Sequence, residues 1–310
     1  MKKHSGILIM VLICTVFMAL AIPTVSYGQK NSNPEMLRVG FFQYDGYHEM
    51  DMLMQSVSCC DFITLETQSH GVTLSCTRAE IPCDQRNIAW KAAELFLERA
   101  GVLGGVSIHI EKHIPEQAGM AGGSADAAAV LIGLNQLYDG GFSLEELCGM
   151  GKSLGADVPF CLTGGTAHVT GIGEKIFPLL PLGDCAFIIA KPMQGISTKA
   201  AFEAIDSVQP LQHVSLDRIL SAAERSDLPG ICAELGNSFE QVTQLPEVFE
   251  IKRKLVNLGA CGALMSGSGS AVFGIFLDDS LAASALDQLK GDYPDAVIAK
   301  PVRTGVEPVL

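Results

Sequence analysis

The strongest constraint on this chain is one glycine-rich segment, Pro115-Glu116-Gln117-Ala118-Gly119-Met120-Ala121-Gly122-Gly123-Ser124-Ala125-Asp126. Upstream, Val106, Ile108 and Ile110 alternate with Ser107, His109 and Glu111, the period of a half-buried strand, and Pro115 closes it. Downstream, an alanine-rich apolar run from Ala125 to Tyr138 reads as a tightly packed helix, with Ser124 placed to cap it and Asp126 in its first turn. Glycine allows positive φ and close approach of the backbone to a ligand. Strand, glycine loop and helix N-terminus together bring unpaired N–H groups and the positive end of a helix dipole to one point, which suits a phosphate. The plain alternative is a glycine turn before a helix. The segment is neither a Walker A loop nor a Rossmann fingerprint. Gly151-Lys152-Ser153 ends like a Walker A, but Glu146 stands where its first glycine belongs. It also falls inside a helix that Ser143 and Glu146 start with a capping box and Gly155 ends.

Composition narrows the classes of function. The 310 residues allow two modest domains, and 48% apolar with 18% charged residues is a globular balance. A net charge of -13 repels phosphate backbones, so a nucleic-acid groove is excluded, while one nucleotide held by backbone N–H groups is not. The ten cysteines form no C-x-x-C pair and no Cys/His cluster with zinc-like spacing, so they read as buried, reduced thiols. Residues 1–28 read differently from the rest. Lys2 and Lys3 precede an uncharged apolar stretch from Ile7 to Ile22, and Ser26-Tyr27-Gly28 offers a small-x-small cleavage site, the pattern of an export signal. The stretch is short for a membrane span, which needs roughly 20 residues, and a spurious upstream extension is the other reading. A membrane association is expected only if that segment is genuine.

From Leu37 onward the chain reads as mixed α and β, with a boundary in the polar, Pro-containing stretch Pro178–Asp184. Four segments carry a resemblance. Pro115 to Ala128 resembles the second motif of the GHMP kinases, with Met120 where leucine is usual. Gly155-Ala156-Asp157-Val158-Pro159-Phe160, followed by Gly164-Gly165-Thr166-Ala167, resembles the catalytic-aspartate stretch of the diphosphocytidyl-methylerythritol kinases within that superfamily. By itself Asp157 is a turn residue before a proline, able to aim a carboxylate. Asp45-Gly46-Tyr47-His48 is similar to the D-G-Y-H signature of the same kinases, and Ser266-Gly267-Ser268-Gly269 to the third GHMP motif. Asn87 matches a family position near the adenine.

The resemblance runs from about Leu37 to about Val302 and implies a two-domain α+β fold. Its parts are an N-terminal domain like domain 2 of ribosomal protein S5 over 37–182, and a ferredoxin-like C-terminal domain over 183–303. It further implies ATP and Mg²⁺ as cofactors, with the 115–125 loop and Asn87 on ATP. Asp157 is then the catalytic base, Tyr47 and His48 hold the substrate, and Ser266 to Gly269 line the floor of the site. The implied reaction phosphorylates the 2-hydroxyl of CDP-methylerythritol in isoprenoid-precursor biosynthesis, in the cytoplasm. Metal ligands and oligomeric state stay open.

One departure counts against activity. The family's A-K-[IL]-N-L motif places a lysine fifteen residues before the signature tyrosine, and counting back from Tyr47 lands on Ser32, with Pro34 in place of the asparagine. A frameshifted or misjoined gene and an exported protein that has lost catalysis are both compatible with this. The competing readings are therefore a GHMP kinase for another small alcohol and a catalytically impaired nucleotide-binding protein.

Overall fold

The structure is a computed structural model and describes residues 6–11, 14–21, 43–44, 47–48, 50–208 and 216–309. One five-stranded sheet has the order β16 (Glu307–Val309), β1 (Gly6–Val11), β6 (Asp61–Gln68), β8 (Gly105–Glu111), β7 (Gly71–Cys76). Its pairs are antiparallel except β7 with β8. A second runs β10 (Lys175–Pro178), β9 (Thr166–Gly171), β5 (Met50–Val57), β2 (Cys14–Ala21), β12 (Gly236–Asn237). Strands β3 (Gln43–Tyr44) and β4 (Tyr47–His48) form a small hairpin before β5.

The third sheet has the order β13 (Gly262–Met265), β14 (Val272–Phe276), β11 (Ala186–Ala190), β15 (Val297–Ala299), all antiparallel. Four helices separate β11 from β13: α5 (Thr198–Ser207), α6 (Leu216–Glu224), α7 (Leu228–Ala233) and α8 (Pro246–Asn257). A further helix, α9 (Asp279–Leu289), separates β14 from β15. This β-α-β-β-α-β progression is the ferredoxin-like arrangement expected from the sequence. The stretch 178–184 connects β10 to β11 and so links the second sheet to the third.

Helices α1 (Ile88–Arg99), α2 (Gly122–Leu137), α3 (Leu144–Leu154) and the short α4 (Val158–Thr163) complete the first half. The alternation in β8 is observed: Val106, Ile108 and Ile110 are fully buried, while His109 and Glu111 are exposed. The middle of α2, from Ala125 to Leu134, is buried on nearly every side, because Ala125, Ala127, Ala128 and Ala129 let neighbours approach closely. Ser143 and Glu146 make the reciprocal capping box at the start of α3. Gly151-Lys152-Ser153 lies inside α3, so no phosphate loop exists there. No disulfide joins the nine cysteines between Cys59 and Cys261, as expected, but only Cys161, Cys185 and Cys232 are buried. Cys59 and Cys60 are half-buried, and Cys83 and Cys261 are exposed.

Residues 6–11 and 14–21, whose apolar run resembles an export signal, form strands β1 and β2 in this structure. Strand β1 lies antiparallel between β6 and β16, and β2 between β5 and β12. An uninterrupted apolar run suits an interior strand as well as a signal segment, so periodicity cannot separate the two. No helix among the described residues is long and apolar enough to cross a membrane.

Removing residues 1–28 takes one strand from each of the first two sheets and leaves β5 and β6 with unpaired edges. The truncated chain is expected to aggregate and lose a cooperative melt by circular dichroism. An unchanged melting temperature would show that β1 and β2 contribute nothing to the folded state.

Candidate active site

The chain leaves β8 at Glu111 and enters the glycine loop through Lys112, His113, Ile114 and Pro115. Gln117, Gly119 and Ala121 take positive φ of 48°, 67° and 52°, alternating with residues of negative φ. Such alternation turns successive N–H groups to one side and makes a concave anion seat. The last of these, Ala121, is the N-cap of α2, and no side chain caps the helix. Ser124, expected as the cap, sits inside the first turn instead. The first-turn N–H donors of α2 are thus left for a ligand at the positive end of its dipole.

The third-motif segment braces this loop through the backbone. Ser270 N–H donates to Gln117 C=O at 3.3 Å, and Ala271 N–H to Ala118 C=O at 3.1 Å. Ser266 Oγ donates to Gly119 C=O at 2.8 Å. Asn237, which the sequence reading missed, secures the brace from behind, its amide donating to Met265 C=O and Gly267 C=O, each at 2.8 Å. The approach is so close that a Cβ on Gly119 would stand 2.1 Å from Ser266 O.

A cavity of about 560 Å³ opens in front of the loop. Pro115 to Ser124 line it, together with Asn87, Asp157, Gly267 and Ser268. Ala125 is buried in α2, and Ser266 and Gly269 lie behind the lining rather than in it. Ile81, Pro82 and Ile88 form an apolar wall beside Asn87. Asn87 caps α1: its Oδ1 accepts from Ala89 N–H and its amide donates to Pro82 C=O, both at 2.9 Å. One amide hydrogen remains.

Asp157 stands between α3 and α4 as the N-cap of α4, where its carboxylate makes no capping bond. Asp157 is half-buried and lines the cavity, and the desolvation it meets there raises its pKa to about 6. A carboxylate with that value is ionised at neutral pH and is a stronger base than an exposed one.

The signature pair is only partly visible. The Tyr47 side chain and Ser32 lie outside the described residues. His48 does not line the cavity; its ring stacks on Phe202 at 4.6 Å between centroids and its Nε2 bonds Asp206 at 2.7 Å. Phe202 itself lines the cavity and meets Phe239 edge-on at 5.0 Å. Phe202, Thr198 and Phe239 come from the second half of the chain and carry no local motif. Lys112, also unforeseen, lines the cavity from below, its ammonium buried between Asp61 and Asp126.

Two consequences are measurable. Gly119→Ala forces a side chain onto a left-handed residue and into a carbonyl, and is expected to cost at least about 2 kcal/mol and weaken nucleotide binding. Full stability in denaturant titration would refute the brace. For Asp157, the folded chain holds its proton more tightly than the unfolded chain. Stability therefore falls as pH rises from 3.8, the ordinary aspartate value, to about 6 and is level above that. Asp157→Asn removes the cost of a buried charge, so at pH 8 the variant is expected to be more stable by about 1–3 kcal/mol. A destabilised variant at that pH would contradict this account of the site.

Comparison with known proteins agrees with this geometry. Residues 87–165 match the GHMP kinases N terminal domain and residues 219–295 the GHMP kinases C terminal domain. A 4-diphosphocytidyl-2-C-methyl-D-erythritol kinase of Synechococcus sp. (strain JA-2-3B'a(2-13)) is 44% identical over 264 residues, covering 81% of this chain and 85% of the relative. One of the same name from Clostridium botulinum (strain Eklund 17B / Type B) is 39% identical over 260 residues, covering 83% and 93%. A crystal structure of a 4-(cytidine 5'-diphospho)-2C-methyl-D-erythritol kinase superposes with a TM-score of 0.74 at 32% identity, over 94% of this chain and 98% of that one. A homoserine kinase from Cytophaga hutchinsonii, 18% identical with a TM-score of 0.72 over 100% and 99% of the two chains, shares the fold alone. With its loop, its brace and these relatives together, the chain belongs to the 4-diphosphocytidyl-2-C-methyl-D-erythritol kinase family of the GHMP kinases.

Proposed function

We propose that this chain transfers the γ-phosphoryl group of ATP to the 2-hydroxyl of 4-diphosphocytidyl-2-C-methyl-D-erythritol, on the route to isoprenoid precursors. The observation that carries the reading is one cavity lined at once by the glycine loop, Asp157 and Phe202. The loop and the first turn of α2 hold the phosphates by backbone N–H groups. Asn87, with Ile81, Pro82 and Ile88, takes the adenine, using the one amide hydrogen that capping leaves. Tyr47 and Phe202 take the cytosine end by stacking, and His48, held by Asp206, contributes from outside the cavity lining by backing the Phe202 ring. Ser268, bonded to Thr198 at 3.0 Å, fixes the floor between the two ends.

Phosphoryl transfer needs positioning and charge stabilisation more than covalent chemistry. Asp157 orients the acceptor hydroxyl and takes its proton. Mg²⁺, carried in with ATP to the loop and the first turn of α2, would supply neutralisation of the phosphate charge. Among the described residues no group of three or more His, Cys, Asp or Glu could hold a metal ion by itself, which fits an ion carried by the nucleotide. An ATP-consuming reaction of this kind belongs with the cytoplasmic ATP pool.

The second reading, nucleotide binding without turnover, is favoured by one observation. Ser32 replaces the family lysine, and β2, the strand beside β5, is Cys-Thr-Val-Phe-Met-Ala-Leu-Ala, with no lysine. Losing one such electrostatic contact costs about 10²–10³ in rate.

The test is ADP release by the full chain with ATP, Mg²⁺ and the CDP-methylerythritol substrate. Slow turnover is expected, with kcat/KM rising as pH increases through about 6. Asp157→Asn should lower kcat by about 10²–10⁴ without weakening ATP binding. Turnover of homoserine or mevalonate in its place would overturn the substrate. ATP binding with no turnover of any acceptor would establish the second reading.

A further inference from the structure

Directly beneath the glycine loop lie three ionisable side chains that phosphoryl transfer leaves without a role. They are Asp61 at the start of β6, Lys112 just past β8, and Asp126 in the first turn of α2. All are buried, at 0%, 7% and 3% exposure. Asp61 is fully satisfied: Oδ1 accepts the N–H groups of His113 at 2.6 Å and Ile114 at 2.8 Å, and Oδ2 accepts the Lys112 ammonium. That ammonium also donates to Asp126 Oδ2 at 2.7 Å. It lies 3.2 Å from where a Cβ on Gly122 would stand, so the cluster touches the underside of the loop.

Asp126 is not satisfied. Its Oδ1 is buried with no hydrogen-bond partner among the described residues, and its Oδ2 shares the Lys112 ammonium with Asp61 Oδ2. With every group ionised, two carboxylates and one ammonium carry a charge of -1. Two carboxylates held on one ammonium do not both ionise without strong mutual repulsion. The surplus charge would also face the place where a polyanion has to bind.

We propose that this cluster keeps one proton, carried on Asp126, while nucleotide phosphates occupy the loop, so that Asp126 is a positioning residue that keeps the floor of the phosphate seat neutral. The inference rests on assigning the loop to ATP phosphates. The proton comes from solvent and neutralises one carboxylate; no other bond changes. Burial, joined by the Asp61 carboxylate, holds the Asp126 carboxyl well above the ordinary range despite the Lys112 ammonium. The groups facing it are Asp61 from β6, Lys112 from the segment after β8, and the Cys76 thiol at the end of β7. Burial raises the Cys76 thiol, and Asp126 raises it further. Strand β1 carries no ionisable residue.

The test is calorimetric titration of the full chain with MgATP at pH about 7.5 and about 9.5, both above the last phosphate ionisation, so the nucleotide's charge is fixed. Native affinity is expected to fall by about tenfold at the higher pH, the effect of one charge several ångströms from the phosphates at intermediate dielectric. Asp126→Asn, neutral at every pH, should show no such fall, whereas Cys76→Ala should keep it. Titrations of the native chain at the higher pH, in two buffers of different ionisation heat, should show uptake of about one proton on binding. That measurement decides the matter even if Asp126→Asn fails to fold. Equal affinity at both pH values with no proton uptake overturns this inference alone. No MgATP binding at pH about 7.5 overturns the nucleotide assignment, and this inference with it.

Discussion

The active site exists because two glycine turns, one from each half of the chain, touch through their backbones. Ala271 N–H on Ala118 C=O and Ser266 Oγ on Gly119 C=O leave no room for a side chain at residue 119. Neither turn has a fixed shape by itself, since glycine is the most permissive residue and loses the most freedom on folding. Joined, they define one another. The helix α2 then starts where the brace sets it, with its uncapped N–H donors aimed into the cavity.

That geometry explains why the most polar cluster of the fold is also among its most buried. An uncapped helix start and a loop with three left-handed residues are costly unless something beneath them is rigid. Lys112, anchored on Asp61 and Asp126, ties the end of β8 to β6 and α2 at the place where the loop departs. Buried ion clusters are poor sources of net stability, because desolvation offsets much of their attraction. Their value here is positional. Asp157 follows the same logic, since the burial that weakens the fold at neutral pH supplies a base of useful strength.

The aromatic corner of the cavity draws on segments remote from each other. His48 precedes β5, whereas Phe202 and Asp206 belong to α5, and they meet only because the second and third sheets are brought side by side. That corner and the glycine loop are built from different elements of the chain.

Local patterns along the chain determined the loop, the buried strand β8, the capping box at Ser143 and Glu146, and the turn that carries Asp157. Each of these rests on backbone preferences acting over a few residues, which is why they were legible one by one. The tertiary structure decided the rest. Ser124 was displaced from the cap because the brace, not side-chain propensity, sets the start of α2. Lys112 and Asp61 are 51 residues apart, and their pairing depends on strand register. Phe202 and Asn237 acquire roles only from what packs against them. The apolar run of residues 7–22 shows the limit most plainly. Its composition suits a signal segment and an interior strand equally, and only pairing with β6 and β5 distinguishes them, because hydrogen-bond partners are not written in the segment that needs them.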